Sequence, residues 1–136
     1  MSPPAAAAPV ALAGEAAGFE RFVSAELAAG LRKMGIVAPN AIQADAVPLA
    51  LSGRDLMVVA QTGSGKTLVY LLPMLQRLAE APAPEREPGP AWPEALVLAP
   101  SEELAAQVAQ VAGELSDLLP GRPTVERLNA ADGGRN

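Results

Sequence analysis

The apolar positions along the chain follow two different periods. The first is helical. Leu27, Leu31 and Met34 recur every three or four residues behind Ser24, whose hydroxyl suits a helix N-cap, and Gly35 supplies a stop. A helix over 25–34 is therefore predicted. A short extended piece, 36–39, leads to a second helix, with Asn40 as its cap and Gln43 three residues later completing a capping box. Pro48 is expected to kink or end that helix, because its ring removes an N–H donor and crowds the preceding turn. Leu68, Leu71, Leu72, Leu75 and Leu78 predict a third helix over 66–80, and Ser101 heads a fourth that runs to about Leu119.

The second period is that of the buried strand. Segment 55–60 carries Leu56-Met57-Val58-Val59, and segment 95–99 carries Leu96-Val97-Leu98. Short unbroken apolar runs between turn signals read as strands covered on both faces, and 124–128 is a third candidate. Turns are predicted at Ser52-Gly53-Arg54 and over 120–123, and a Gly-rich loop over 61–65. Segment 81–93 holds five Pro in thirteen residues and is expected as a surface loop. Alternation of short buried strands with helices predicts an α/β fold with a parallel sheet and right-handed crossovers.

Composition narrows this picture. The 29 Ala and only four aromatics (Phe19, Phe22, Tyr70 and Trp92) leave the core to rest on 18 Leu and the Val, Ile and Met set. At 136 residues the chain has room for one domain. Residues 1–18, rich in Ala and Pro and without Lys or Arg, are expected as a disordered leader rather than a secretory or transit peptide. Residues 129–136 have no periodicity and are expected as an unstructured tail. The net charge is −5 and the arginines are scattered, so binding driven mainly by neutralising nucleic-acid phosphates is not expected. The absence of Cys and His removes disulfide, thiolate and imidazole chemistry, and an intracellular protein fits best. No apolar run is long enough to span a membrane.

The chemistry concentrates in Ala60-Gln61-Thr62-Gly63-Ser64-Gly65-Lys66-Thr67. It follows a predicted strand and opens a predicted helix, the context that a phosphate-binding loop needs. Gly63 and Gly65 allow consecutive N–H groups to turn inward, and the helix start adds unpaired donors and the positive end of the dipole. A polyphosphate is the expected guest. Lys66 would reach its β- and γ-phosphates, and the Thr67 hydroxyl would ligate Mg²⁺. Ala60 stands where the generic pattern G-x-x-x-x-G-K-S/T has its first Gly.

This variant of the loop resembles that of the DEAD-box RNA helicases, and two further segments carry the same resemblance. Gly35-Ile36-Val37-Ala38-Pro39-Asn40-Ala41-Ile42-Gln43 is similar to the family's glutamine motif, usually G-F-x-x-P-T-P-I-Q. Gly35, Pro39, Ile42 and Gln43 match, whereas Ile36, Asn40 and Ala41 depart. Pro100-Ser101-Glu102-Glu103-Leu104-Ala105-Ala106-Gln107 is similar to the family's P-T-R-E-L-A-x-Q, with Ser for Thr and the charge-reversing Glu102 for Arg.

The resemblance implies a partial RecA-like P-loop NTPase domain over 19–128, ATP and Mg²⁺ as cofactors, and RNA as a partner of the family. It implies that Gln43 reads adenine, since a side-chain amide can accept from the exocyclic amine and donate to N7, a pairing that guanine cannot complete. It implies that Phe19 stacks on the base, one residue closer to the motif than is usual. It places Pro100 and Ser101 at the RNA backbone, although Glu102 beside them repels phosphate. Local readings stand beside these: Gln43 completing a helix cap, Phe19 packing into a core, and Ser101-Glu102-Glu103 forming a capped helix start.

No Asp-Glu-Ala-Asp tetrad follows the second predicted strand, and Gly133-Gly134 is only a candidate start of the family's next element. The chain is thus expected to be the N-terminal part of a helicase core, its sheet incomplete on the C-terminal side with an exposed edge. Alone, it is not expected to hydrolyse ATP or unwind RNA efficiently, because the acids that hold Mg²⁺ and position water are absent. The alternative is a nucleotide-binding remnant without turnover. A third class, a small P-loop kinase, is disfavoured by the glutamine element, which such enzymes do not need.

Overall fold

The computed structural model describes residues 18–81 and 92–128. The expected leader and tail, Gly133-Gly134 and most of the Pro-rich loop lie outside them. A 3-10 turn at Phe19–Arg21 is followed by four α-helices: α1 (Ala25–Lys33), α2 (Ala41–Leu51), α3 (Lys66–Glu80) and α4 (Glu102–Ser116).

Each helix begins where the residue types favour it. Ser24 Oγ accepts from the Leu27 N–H at 3.4 Å and Ser101 Oγ from the Leu104 N–H at 3.2 Å, each taking up one of the orphan donors of a first turn. Asn40 and Gln43 form the expected capping box at the start of α2. Helix α1 stops at Gly35, whose φ of +79° suits glycine. The Gly35 N–H bonds the Arg32 carbonyl and the Ile36 N–H bonds the Leu31 carbonyl, a Schellman closure.

Of the two outcomes expected for α2 at Pro48, a kink or an end, the end does not occur. The helix continues three residues past it to Leu51, and the Pro48 carbonyl accepts from Ser52 N–H at 3.0 Å. The lost donor falls close to the helix end, where few turns depend on it. Helix α4 also ends earlier than expected, at Ser116, where the Asp117 N–H bonds the Gly113 carbonyl and a turn begins.

The core joins all four helices and the 3-10 turn. Phe19, Val23, Leu27, Ala28, Leu31, Val47, Leu68, Leu72, Leu75, Leu115 and Leu119 form one buried cluster. Full burial of a large apolar side chain is worth roughly 1.5–3 kcal/mol, so this cluster carries most of the stability of so small a unit. A smaller cluster, Leu71, Val108 and Ala112, joins α3 to α4.

The sheet is the main departure. Among the described residues no strand forms: 55–60, 95–99 and 124–128 are irregular, and no backbone hydrogen bond joins one to another. Residues expected to be covered on both faces are open, with Met57 91% and Leu98 86% exposed. A helix satisfies its backbone within its own segment, whereas a parallel strand needs a neighbour reached by a long crossover. Without such a neighbour its peptide groups stay with water.

Candidate functional site

The Gly-rich loop sits between α2 and α3. Gly63 and Gly65 both take positive φ, +80° and +81°. Gly65 is the N-cap of α3 and contributes no side-chain cap, so the first N–H groups of α3 have no partner from their own helix. Such donors at the positive end of a fifteen-residue helix can hold an anion. Inside the loop the Ser64 N–H bonds the Gln61 carbonyl at 3.3 Å.

Lys66 lies over the loop. Its ammonium donates to the Ala60 and Gln61 carbonyls, both at 2.6 Å, and to Ser64 Oγ at 3.4 Å. To serve a phosphate it exchanges carbonyl partners for a stronger, charged acceptor within the reach of the same side chain. Thr67, half-buried in the first turn of α3, borders a cavity of about 390 Å³ together with Asn40, Gln43, Gly65, Leu104 and Gln107. Its hydroxyl is a hard oxygen donor suited to Mg²⁺, an ion that takes most of its other ligands from water and substrate phosphates. Among the described residues, no group of three or more Asp, Glu, His or Cys is placed to hold a metal.

Gln43 is brought against the loop. It is only 4% exposed, and both ends of its amide are engaged. Oε1 accepts from the Asn40 N–H at 3.0 Å, and Nε2 donates to the Gly65 carbonyl at 3.2 Å. One lone pair and one N–H remain in its inventory. Asn40 is used in the same double way: Oδ1 accepts from the Gln43 N–H at 3.0 Å, and Nδ2 donates to the Ser64 carbonyl at 2.9 Å. These partners fix the orientation of both amides, because each flipped form would set acceptor against acceptor. The contact is close. A Cβ added to Gly65 would stand 2.4 Å from Gln43 Nε2 and 3.0 Å from Asn40 Nδ2.

Phe19 is placed differently from the stacking role. It is 1% exposed and belongs to the core with Val23, Leu27 and Leu31. Pro100 and Ser101 are exposed at the start of α4, and the Ser101 hydroxyl is already used as the helix cap. Two residues near the loop had no site role in the sequence reading: Asn40, read only as a cap, and Gln107, which lines the same cavity as Thr67. The available signal for Asn40 was its departure from the family's Thr, a change that places donor and acceptor on separate atoms.

The loop ahead of α3 thus has two left-handed glycines, a lysine over it and a glutamine against it. Comparison with known proteins decides the matter: the DEAD/DEAH box helicase model matches residues 40–132. The chain belongs to the DEAD/DEAH box helicase family. It is 48% identical over 99 residues to the ATP-dependent RNA helicase SrmB of Haemophilus influenzae, covering 72% of this chain and 22% of SrmB. It is 48% identical over 92 residues to the ATP-dependent rRNA helicase rrp3 of Aspergillus oryzae, covering 68% of this chain and 18% of that protein. With the probable ATP-dependent RNA helicase DDX17 of Homo sapiens it shares 55% over 76 residues, or 56% of this chain and 10% of that one. The chain therefore spans about a fifth or less of the length of these relatives. Membership implies a RecA-like P-loop fold and use of a nucleotide. Among the described residues, no helix is long and apolar enough to cross a membrane.

Proposed function

We propose that this chain is the ATP-binding segment of a DEAD-box-type RNA helicase, which in the whole protein couples ATP binding and hydrolysis to unwinding of RNA duplexes. The observation that carries the reading is the junction of α2 with the phosphate loop. There Gly63 and Gly65 turn the loop, Lys66 lies over it, and Gln43 sits against Gly65. In this reading residues 60–67 hold the polyphosphate, with Lys66 on the β- and γ-phosphates and Thr67 on Mg²⁺. The ion supplies charge neutralisation at those phosphates. The chain's own part is to hold them with loop N–H groups and the ammonium. The remaining donor and acceptor of Gln43 select adenine.

The extended segments 55–60, 95–99 and 124–128 are proposed as strands of the family's sheet, whose apolar sides become covered when they are paired. Pro100 and Ser101 are proposed at the RNA backbone, a role that Glu102 opposes by charge.

Nucleotide titration of the chain tests the reading. ATP and ADP should bind in preference to GTP, and Lys66→Ala should weaken both. Equal competition by GTP would remove the role given to Gln43, and no binding at millimolar nucleotide would remove the reading itself. A second reading is binding without turnover. Phosphate release measured on a longer form of the protein separates the two: binding with no release there supports the second.

A further inference from the structure

We propose that Asn40 is a positioning residue for the phosphate loop, aiming the Gly65 N–H at the phosphate by pinning the carbonyl of Ser64. The inference deepens the nucleotide-binding reading and rests on it.

The argument starts from one side chain with two engaged ends. Asn40 Oδ1 caps α2 by accepting from the Gln43 N–H, and this holds the carboxamide plane relative to the helix. The other end, Nδ2, donates at 2.9 Å to the Ser64 carbonyl, 24 residues along the chain. Peptide bonds among the described residues are trans, so the C=O of Ser64 and the N–H of Gly65 point in opposite directions from one plane. Drawing the carbonyl toward α2 therefore turns the Gly65 N–H away from α2.

Gln43 acts the same way one residue later. Its Nε2 holds the Gly65 carbonyl, which turns the Lys66 N–H away as well. Two successive loop donors are thus presented on one side by two successive amides on the other. Gly65 accommodates the arrangement because any Cβ there would strike both amides. A hydroxyl at position 40 could cap α2 but is one bond shorter than Nδ2, so it does not span the gap to Ser64. The cap and the pin are therefore separable by substitution.

The test uses the 136-residue chain with N40S, N40D and N40A. Serine and aspartate keep an acceptor for the Gln43 N–H and lack the donor for Ser64, whereas alanine loses both. N40S should keep the parent's thermal midpoint and weaken ADP binding about fivefold, the factor a single net hydrogen bond commonly supplies. N40D should weaken it further, because a carboxylate faces a carbonyl and the nucleotide. N40A should lose both affinity and thermal midpoint.

Hydrogen exchange without nucleotide gives a second readout. In N40S the Ser64 and Leu68 amides, bonded to the Gln61 and Gly65 carbonyls, should exchange faster, with α2 amides unchanged. The proposal is overturned if N40S binds ADP as the parent does, if its loop amides exchange as the parent's do, or if it loses as much thermal midpoint as N40A. If the parent binds no ADP, the nucleotide reading fails, and the loop amides alone then decide for or against the positioning role.

Discussion

The junction of α2 with the phosphate loop and the extended segments on either side of the helices obey opposite rules. At the junction both ends of each side-chain amide are engaged. Asn40 and Gln43 each cap α2 with one end and tie the loop with the other, and Lys66 is held by two carbonyls. Among the described residues no buried side-chain nitrogen or oxygen lacks a partner. In segments 55–60 and 95–99 the reverse holds. Apolar side chains such as Met57 and Leu98 stand in solvent, and the backbone pairs with nothing across a ladder. The difference teaches where order comes from in this chain. Helices, caps and a glycine loop close their bonds over short distances or against one rigid neighbour, whereas a parallel strand is only half an element until a second strand lies beside it.

Four measurements probe that contrast, in descending size of effect. Leu72→Ala removes a fully buried side chain from the core and should cost about 2–5 kcal/mol in chemical denaturation, enough to unfold much of so small a unit. A cost below about 1 kcal/mol would mean that the helical core does not hold the chain together.

Lys66→Ala should weaken ATP binding by about 10- to 150-fold, the range for a hydrogen bond to a charged group, as read by calorimetric titration. Its thermal midpoint should stay near the parent's, because the ammonium's present partners are loop carbonyls rather than core groups. An unchanged affinity would detach the lysine from the nucleotide.

Ser101→Ala removes the acceptor for the Leu104 N–H and should cost about 1 kcal/mol, seen as a lower denaturant midpoint. If RNA binding by a longer form of the protein falls while stability does not, the hydroxyl serves RNA rather than the cap.

The smallest effect is expected at the extended segments. Met57→Asp or Leu98→Asp should change stability by less than about 0.5 kcal/mol, since both side chains are already in solvent. A loss of several kcal/mol would show that these segments are covered in solution, and the contrast with the junction would disappear.

Much of the helical part was legible from local pattern. Ser24, Asn40 and Ser101 were read as caps, the Leu spacing over 66–80 as a helix, and Gly35 as a stop, because each depends on neighbours within four residues. The Gly-rich loop was legible for the same reason: Gly63, Gly65, Lys66 and Thr67 fall within five residues, and glycine's freedom at positive φ is a property of the residue. That Pro48 does not end its helix was not legible, because the cost of an internal proline depends on how much helix follows it, and only three residues do. Phe19 illustrates a different limit. Its motif position implied a base, yet its ring fills the gap beside α1, and no spacing rule tells which of two apolar tasks a side chain will take.

Local chemistry in the chain therefore sets the helices, their starts, the Gly-rich loop and the family. It also names Gln43 and Lys66 as residues to watch. What required three dimensions was the use made of their polar groups: the Asn40 carboxamide reaching Ser64 across 24 residues, the Gln43 amide against Gly65, and Phe19 in the core. The same holds for the strands, whose apolar runs announce extended backbone but not a partner. Capping and turn bonds are paid for within one segment. Ties between segments and ladders depend on which surfaces meet, and that is settled by packing rather than by the order of residues.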